Sequence, residues 1–328
     1  MGLFFSSCSS DTDTADGGRM ISMPIVLAIP ANNADLTTGT TGAKATRAEG
    51  DPGTYEKFEL PTHLYIYLIN TSIDEKETKV HTPEGMDKDN GYTLKTDKWT
   101  KTTTKDNNKD FIYTYTDQIR IIIPENRKTG VVYAAMSTVP IKVTYTGNDV
   151  AVATFTLGSD AAGNESEALK NLYSSPYNLM KDNHYYGTVS DYNSNSPYIN
   201  MVLYPVASKL DLQWNVDASV QDKVKLSQIT LTGLSGGGKL FKPLENTASS
   251  STYDETFALD AGSQWYGRKA TYVIPVKTDG KYQFPMTLTN SLSSEENKDK
   301  LTTATATPSS ANTIYVPWIY GTVKVTKW

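Results

Sequence analysis

Large aliphatic residues occupy every second position in one stretch near the start of the chain. These residues are Ile21, Met23, Ile25, Leu27 and Ile29. Because successive side chains of a β-strand point to opposite faces, this alternation predicts a strand with one apolar face. Pro24 and Pro30 argue against a helix and, because proline cannot donate a ladder hydrogen bond, they predict an edge strand. The stretch is also too short to cross a bilayer as a helix.

The segment from Ala31 to Arg47 is rich in Thr, Gly and Ala and has no hydrophobic period. This composition predicts a flexible surface linker. A strand that is tied on by a linker ending in arginine can be detached by proteolysis. The alternative is that Arg47 is an ordinary solvated loop residue. The scarcity of Arg relative to Lys, and the position of Arg19 and Arg47 on either side of the strand, favour processing.

Strand-like segments separated by Gly, Asn, Asp and Pro clusters recur over the rest of the sequence, at intervals typical of a sandwich or barrel. The clearest begin at Thr62, Phe111, Gln118, Val131, Ile141, Val150, Met201, Val224, Tyr272 and Gln283. Asp74 to Lys109 is predicted to be an exposed polar loop, and Glu165 to Leu172 a short amphipathic helix. The polar stretch from Asp191 to Tyr198 predicts a domain boundary. The predicted organisation is therefore a leader with a removable strand (residues 1–47) and two all-β domains of antiparallel strands (48–198 and 199–328).

The C-terminal stretch carries a second alternating apolar pattern. Its apolar residues are Ile314, Val316, Trp318, Tyr320, Val323, Val325 and Trp328, with a break expected at Gly321. Leu301 to Ala311, just before it, is another linker-like segment rich in Thr, Ala and Ser. Each end of the chain is therefore predicted to carry an apolar strand next to a linker. The alternative for the C-terminal strand is a resident strand of the second domain.

Composition and charge narrow the function classes. Hydrophobic residues make up 38% of the sequence, charged residues 20%, and there are 21 tyrosines, as expected for a soluble all-β protein. The net charge of -5 argues against a basic surface that would bind nucleic acid or anionic lipid. No apolar run approaches the length of a transmembrane helix.

Cys8 is the only cysteine, so an internal disulfide is not possible. It follows a short apolar patch and two small residues, as at the end of a signal peptide. The pattern resembles a bacterial lipobox, which would make Cys8 a lipidation site, and the alternative is an incidental cysteine in a disordered tail. The acidic residues from Asp11 to Asp16 resemble an export signal of Bacteroidales surface lipoproteins. A calcium loop is excluded there, because Ala15 and Asp16 replace a ligand and the turn glycine.

Motifs for catalysis or metal binding are weak. His63, His81 and His184 lack metal-ligand spacing. Gly233 to Gly237 forms a Gly-Xaa-Ser-Xaa-Gly pattern around Ser235, but no histidine follows it, and as a phosphate loop the stretch lacks the required Ser or Thr. A Gly-rich hairpin turn is the simpler interpretation. The sequence therefore predicts a protein without catalytic, cofactor-binding or metal-binding residues, and not an enzyme.

The lipobox-like Cys8, the acidic tether, the apolar strand, the Ala-Thr-Arg-Ala site ending at Ala48 and the terminal strand pair together resemble a Bacteroidales fimbrillin. This is the FimA-like subunit family of the type V pilus. The resemblance implies two transthyretin-like β-sandwich domains and export as a lipoprotein of the outer membrane. It also implies cleavage by a trypsin-like, Arg-specific protease, with Arg47 before the cut and Ala48 as the new N-terminus.

The resemblance further implies assembly by donor-strand exchange. Loss of the first strand opens a groove, which Thr313 to Trp328 of a neighbouring copy fills. An unpaired sheet edge with a bare apolar groove is a template for strand addition, and head-to-tail contacts of this kind yield a filament. The expected partners are other copies of the chain, the protease, anchor and tip subunits, and a host or bacterial surface ligand. The alternative function is a surface lipoprotein or pilus-tip adhesin that binds glycan or host protein.

Overall fold

The computed structural model describes residues 18–31, 59–71, 78–103, 111–124, 130–177, 188–189, 199–246, 249–278, 281–291, 304–308 and 318–325. Several predicted site residues lie outside these ranges, namely Cys8, Arg47, Ala48, Ile314, Val316 and Trp328. Within the described ranges the chain is built mostly of β-strands, with one short α-helix, so the predicted all-β sandwich class is confirmed.

The first half contains β1 (Gly18–Ala31), β2 (His63–Thr71), β3 (Thr78–His81), β4 (Tyr92–Thr93), β5 (Trp99–Thr103), β6 (Phe111–Pro124), β7 (Gly130–Ser137), β8 (Ile141–Thr144), β9 (Thr154–Leu157), β10 (Tyr173–Ser174), β11 (Thr188–Val189) and the helix α1 (Glu165–Lys170). The second half contains β12 (Ile199–Val202), β13 (Tyr204–Pro205), β14 (Ser208–Val216), β15 (Leu226–Ser235), β16 (Gly237–Lys239), β17 (Thr252–Ala258), β18 (Tyr266–Val273), β19 (Lys277–Thr278), β20 (Lys281–Phe284), β21 (Met286–Asn290), β22 (Ala304–Pro308) and β23 (Trp318–Val325). Single 3-10 turns lie at Thr96–Lys98, Val150–Val152, Ser159–Ala161, Ala218–Val220 and Pro243–Glu245. Among the described residues no helix is long and apolar enough to cross a membrane.

β1 lies between two strands of a four-stranded sheet with the order β12-β1-β6-β5. It pairs antiparallel with β6 over its whole length, from Gly18 opposite Pro124 to Ala31 opposite Phe111. On its other side it pairs parallel with β12, but only over residues 25–28. The prediction of an edge strand is therefore wrong.

The two prolines fit this interior strand because of the side to which their nitrogen atoms point. Along a strand the backbone groups of successive residues face alternate sides. The carbonyl oxygen of Ala28 faces β12, where it accepts a hydrogen bond from the Leu203 amide at 2.8 Å. Pro24 and Pro30 are an even number of residues away and face the same side, but both lie outside the four residues that pair with β12. Neither proline therefore interrupts a ladder. At Pro24 and Pro30 themselves, the side of β1 that faces β12 has no strand paired to it, as expected for proline.

A second sheet faces the first one, with the order β13-β10-β7-β2-β3 and with β11 beside β7 and β4 beside β2. One face of β2 and β7 packs with the buried side chains of β1 in a single apolar core. The opposite face carries Tyr67 and Tyr133, whose rings contact Phe241 of the second half at centroid distances of 6.5 and 5.0 Å. The central strands of this sheet are thus buried on both faces.

The second half contains a six-stranded sheet, β18-β14-β23-β22-β20-β19, and a three-stranded sheet, β17-β15-β21. Apolar side chains of β14 and β15 share one large core. β23 lies inside the six-stranded sheet, parallel to β14 and antiparallel to β22. The C-terminal strand is therefore a resident of the chain's own sheet, as in the alternative that the sequence left open.

Three pairings cross the predicted domain boundary at residues 198 and 199. β12 pairs with β1, β13 pairs with β10, and β16 pairs with β9 in a three-stranded sheet of the order β16-β9-β8. The interpretation of the Gly-rich stretch as a hairpin turn is wrong, because Gly237 and Gly238 lie in β16. A Cβ atom at Gly237 would overlap the carbonyl oxygen of Phe155, so glycine is needed for this close approach. The division into two domains stays a prediction.

The predicted exposed loop from Asp74 to Lys109 is wrong over residues 78–103. This segment forms β3, β4 and β5, and Leu94 is 5% exposed. The ring of Trp99 packs on that of Tyr115 at a centroid distance of 5.3 Å. β3 and β5 are the edge strands of their sheets and are partly exposed, which is compatible with their Lys and Thr residues. The predicted helix is confirmed, although it ends at Lys170 rather than Leu172.

Candidate functional site

The candidate site is the space that β1 fills, here called the β1 slot: the channel between β6 and β12 over the face of β2 and β7. Met23, Ile25, Leu27 and Ile29 are each 0% exposed. Ile21 belongs to the same strand, but its side chain lies outside the described part of the structure. The alternating pattern thus produced the buried face that it predicted, for the residues whose side chains can be described.

β6 forms the first wall of the β1 slot. Tyr115 lies opposite Leu27, and Ile119 lies opposite Met23. Both are at most 1% exposed. Because fourteen consecutive residues of β1 are paired with β6, this strand provides most of the backbone hydrogen bonds that hold β1.

β12 and the residue after it form the second wall. Ile199, Met201 and Leu203 are exposed by 2%, 3% and 0%, and they belong to the same core as the apolar face of β1. The sequence predicted a strand beginning at Met201, but it did not mark Ile199, Met201 and Leu203 as part of a site. Their own alternation was the available signal, but nothing in the sequence indicated that they pair with a strand near residue 25.

The floor of the β1 slot comes from the facing sheet. It consists of the buried side chains Leu64, Ile66, Leu68, Val132, Ala134 and Met136. All six are apolar, so a strand that entered the slot would have to offer apolar side chains at alternate positions.

Tyr115, Asp117 and Lys95 form a small polar network beside the β6 wall of the slot. The Tyr115 hydroxyl donates to Oδ2 of Asp117 at 2.9 Å, and Nζ of Lys95 lies 3.7 Å from the same oxygen. Burial raises the pKa of Tyr115 above its ordinary range, so the phenol keeps its proton and donates. Burial also acts to raise the pKa of Asp117, but the amide of Gln118, the Tyr115 hydroxyl and Lys95 outweigh it and lower that pKa. Asp117 is therefore a paired carboxylate.

The outward face of β1 is exposed or half-buried. Ser22 Oγ donates to Oε1 of Gln118 at 2.9 Å, and Pro24 is exposed. Next to this position on β6, Arg120 pairs with Glu84 at 3.0 Å. These exposed contacts add little to stability, so the hold on β1 comes from its buried face and its backbone pairing.

β23 holds the described part of the predicted donor segment. It runs without interruption from Trp318 to Val325, so the break expected at Gly321 is wrong. Val323 is 3% exposed and belongs to the core of the second half. Three positions separate Tyr320 from Val323, so the predicted donor residues do not form one continuous alternation in this uninterrupted strand.

The residues that the sequence analysis weighed for chemistry lie apart from one another. His63 accepts or donates a hydrogen bond with Thr62 at 2.8 Å, and burial lowers its pKa. His81 lies in β3, and His184 is outside the described residues. Ser235 Oγ donates to the carbonyl oxygen of Gly237 at 2.8 Å, which is a structural role. In the described ranges no three His, Cys, Asp or Glu side chains are placed to hold a metal ion.

The sequence matches no protein-family model and no curated protein. Solved structures to which it is similar include fimbrial proteins of Bacteroidales. A fimbrial assembly protein from Parabacteroides distasonis aligns with 12% sequence identity and a TM-score of 0.40, covering 94% of this chain and 94% of that one. The fimbrial anchor protein Mfa2 from Porphyromonas gingivalis aligns with 7% identity and a TM-score of 0.38, covering 92% and 91%.

Proposed function

We propose that this chain is a structural subunit of a cell-surface fimbrium that assembles by donor-strand exchange after cleavage at Arg47. The observation that carries the proposal is the placement of β1. The described side chains of its apolar face are fully buried. After β1, the next residue that the structure describes is residue 59. Arg47 is the only arginine in the sequence between β1 and residue 59. A single cut can therefore separate an interior strand from the sheet that it completes.

The energetics explain why a cut is needed. Burial of four large side chains stabilises β1 by about 6–12 kcal/mol before conformational entropy is subtracted. Backbone pairing with β6 along the whole strand adds to this stabilisation, and the conformational entropy lost on ordering the strand opposes it. As long as the strand is tethered, its high effective concentration lets it outcompete any strand from another molecule. Cleavage removes this advantage, and the slot becomes open to an incoming strand.

The incoming strand is proposed to be the C-terminal segment of a second copy, residues 313–328. Its apolar residues from Ile314 to Tyr320 occupy alternate positions, as the floor of the β1 slot requires. Each copy would then offer one slot and one strand, which gives an open head-to-tail polymer. The precursor is proposed to be an outer-membrane lipoprotein attached through Cys8, and the polymer to bind anchor and tip subunits at the surface. No enzymatic activity is proposed.

The test is to treat the purified full chain with an Arg-specific protease. We expect Ala48 as the new N-terminus by sequencing, followed by polymers that resist SDS. Arg47→Lys is the matched control, because it keeps the positive charge but is not a substrate. If Arg47→Lys polymerises as well as the natural chain after treatment, cleavage at this residue is not the trigger.

The identity of the donor needs a separate experiment, because deletion of residues 313–328 would remove the buried Val323 and disturb the fold. A synthetic peptide of residues 313–328 should occupy the opened slot and stop polymer growth, and a scrambled peptide should not. Polymerisation that is insensitive to the natural peptide would overturn the donor assignment.

A second candidate function is a surface or pilus-tip adhesin that does not polymerise through its own C-terminus. The central position of β23 favours it, because extraction of this strand separates β14 from β22. In that case cleavage at Arg47 would leave the protein monomeric, and binding to glycan or host protein would be its activity.

A further inference from the structure

One continuous piece of chain joins the β1 slot to the strand that is proposed to leave. β12 forms a wall of the slot, and β14 is the parallel partner of β23. Only residues 203–207 lie between these two strands. The wall of the slot and the support of β23 are thus successive parts of one segment, Ile199–Val216, here called the connecting segment.

The first part of the connecting segment depends on β1. Among the described strands β1 is the only ladder partner of β12, which lies at the edge of its sheet. Ile199, Met201 and Leu203 are buried in the core that contains the apolar face of β1. An unpaired strand of four residues with bare apolar side chains is not stable in water. Loss of β1 therefore removes what orders β12.

The last part of the connecting segment holds β23. Lys209 of β14 lies opposite Trp318, and the register continues to Val216 opposite Val325. Trp318 is thus at the end of the ladder nearest to β12. A disturbance that starts in β12 reaches this end of β23 first.

The short junction between the two parts is well packed. β13 pairs with β10, and the amide of Val206 donates to the carbonyl oxygen of Leu172 at 3.0 Å. Ser208, at the start of β14, is 1% exposed, and its hydroxyl has no hydrogen-bond partner among the described residues. A buried hydroxyl without a partner costs stability, so the start of β14 is less stable than its backbone pairing with β18, which begins at Ser208 opposite Val273, would make it alone.

We propose that the connecting segment links the state of the β1 slot to the release of β23. With β1 in place, β12 is ordered and β14 retains β23. When β1 leaves, order is lost from Ile199 towards Lys209, and the pairing of β23 opens from Trp318. The biological meaning of this coupling rests on the function proposed above. It adds an order of events to that function: the C-terminal strand becomes available only after β1 has left the slot.

The test is amide hydrogen exchange on the full chain, read at β23 and at the three-stranded sheet of β15, β17 and β21. In the variant Met201→Ala the wall of the slot is weakened without proteolysis. We expect exchange at Trp318–Val325 to become about tenfold faster or more, with little change in the three-stranded sheet. Val202→Ala is the matched control, because Val202 is half-buried on the opposite face of the same strand.

The chain cut at Arg47 and freed of β1 provides the second measurement, and it should show the same local acceleration. Unchanged exchange at β23 in both samples would overturn the proposal, and so would an equal acceleration in the three-stranded sheet. A polymerisation assay on the same samples separates the two proposals. Polymers without faster exchange at β23 contradict only this coupling, and faster exchange without polymers contradicts only the proposed function.

Discussion

Leu27 of β1 lies directly opposite Tyr115 of β6, and neither side chain is exposed. This pair stands at the centre of the β1 slot. Leu27→Ala should therefore lower the free energy of unfolding of the uncut chain by about 2–5 kcal/mol, because it leaves a cavity. Chemical denaturation measures the loss. Val26→Ala, on the half-buried outer face, should cost clearly less, and equal losses would mean that β1 is not held by its inner face.

The carboxylate of Asp117 gives the slot a dependence on pH. Its pKa is lowered in the folded protein, so its contribution to stability is present above the pKa of the unfolded chain and is lost as pH falls through the folded value. Stability should thus decline below about pH 4, which denaturation at a series of pH values would measure. Asp117→Asn should flatten this decline. A variant that keeps the full decline would assign it to other carboxylates.

The close contact between Gly237 and Phe155 predicts a sensitive position between the two halves. Gly237→Ala should destabilise the protein by about 1–3 kcal/mol, because the added Cβ must displace the backbone of β9. Gly262→Ala is a suitable control, since its Cβ would meet only Oδ1 of Asp260 at 3.6 Å. Thermal unfolding of the two variants provides the comparison, and similar melting temperatures would contradict the prediction.

Asp211 is 0% exposed, and its carboxylate accepts hydrogen bonds from the guanidinium of Arg268 on β18, one of them from Nε at 2.7 Å. Arg268→Met should cost about 3–5 kcal/mol, because it leaves a buried charge without this partner. The double variant with Asp211→Leu should recover most of that loss. Denaturation of both proteins tests this, and a double variant as unstable as the single one would contradict it.

The sequence predicted those parts of the site that depend on local pattern. The period of two from Met23 to Ile29 gave both the strand and its buried face, and the apolar residues near Glu165 gave the helix. The edge position failed for a different reason. Proline shows only that its own nitrogen donates no hydrogen bond, whereas the strand that pairs with residues 25–28 begins at Ile199. One sequence gives no sign of that pairing.

Two further predictions that were based on composition are wrong. The segment from Thr78 to Thr103 is rich in Lys and Thr, which is also the composition of strands that are exposed on one face. The glycines around Gly237 were interpreted as a turn, although the physical need for them is the passage of one backbone close to another. Such contacts between distant residues are set by the fold and leave no local period.

The parallel pairing of β1 with β12 has a consequence for biosynthesis. Ile25 is made long before Ile199, and its sheet is incomplete until both have emerged. While the residues between β1 and β12 are being translated, the aliphatic strand β1 lacks at least one of its two neighbouring strands. Unpaired strands of this kind promote aggregation. A nascent chain of this kind needs protection from aggregation until the residues around position 200 have been made.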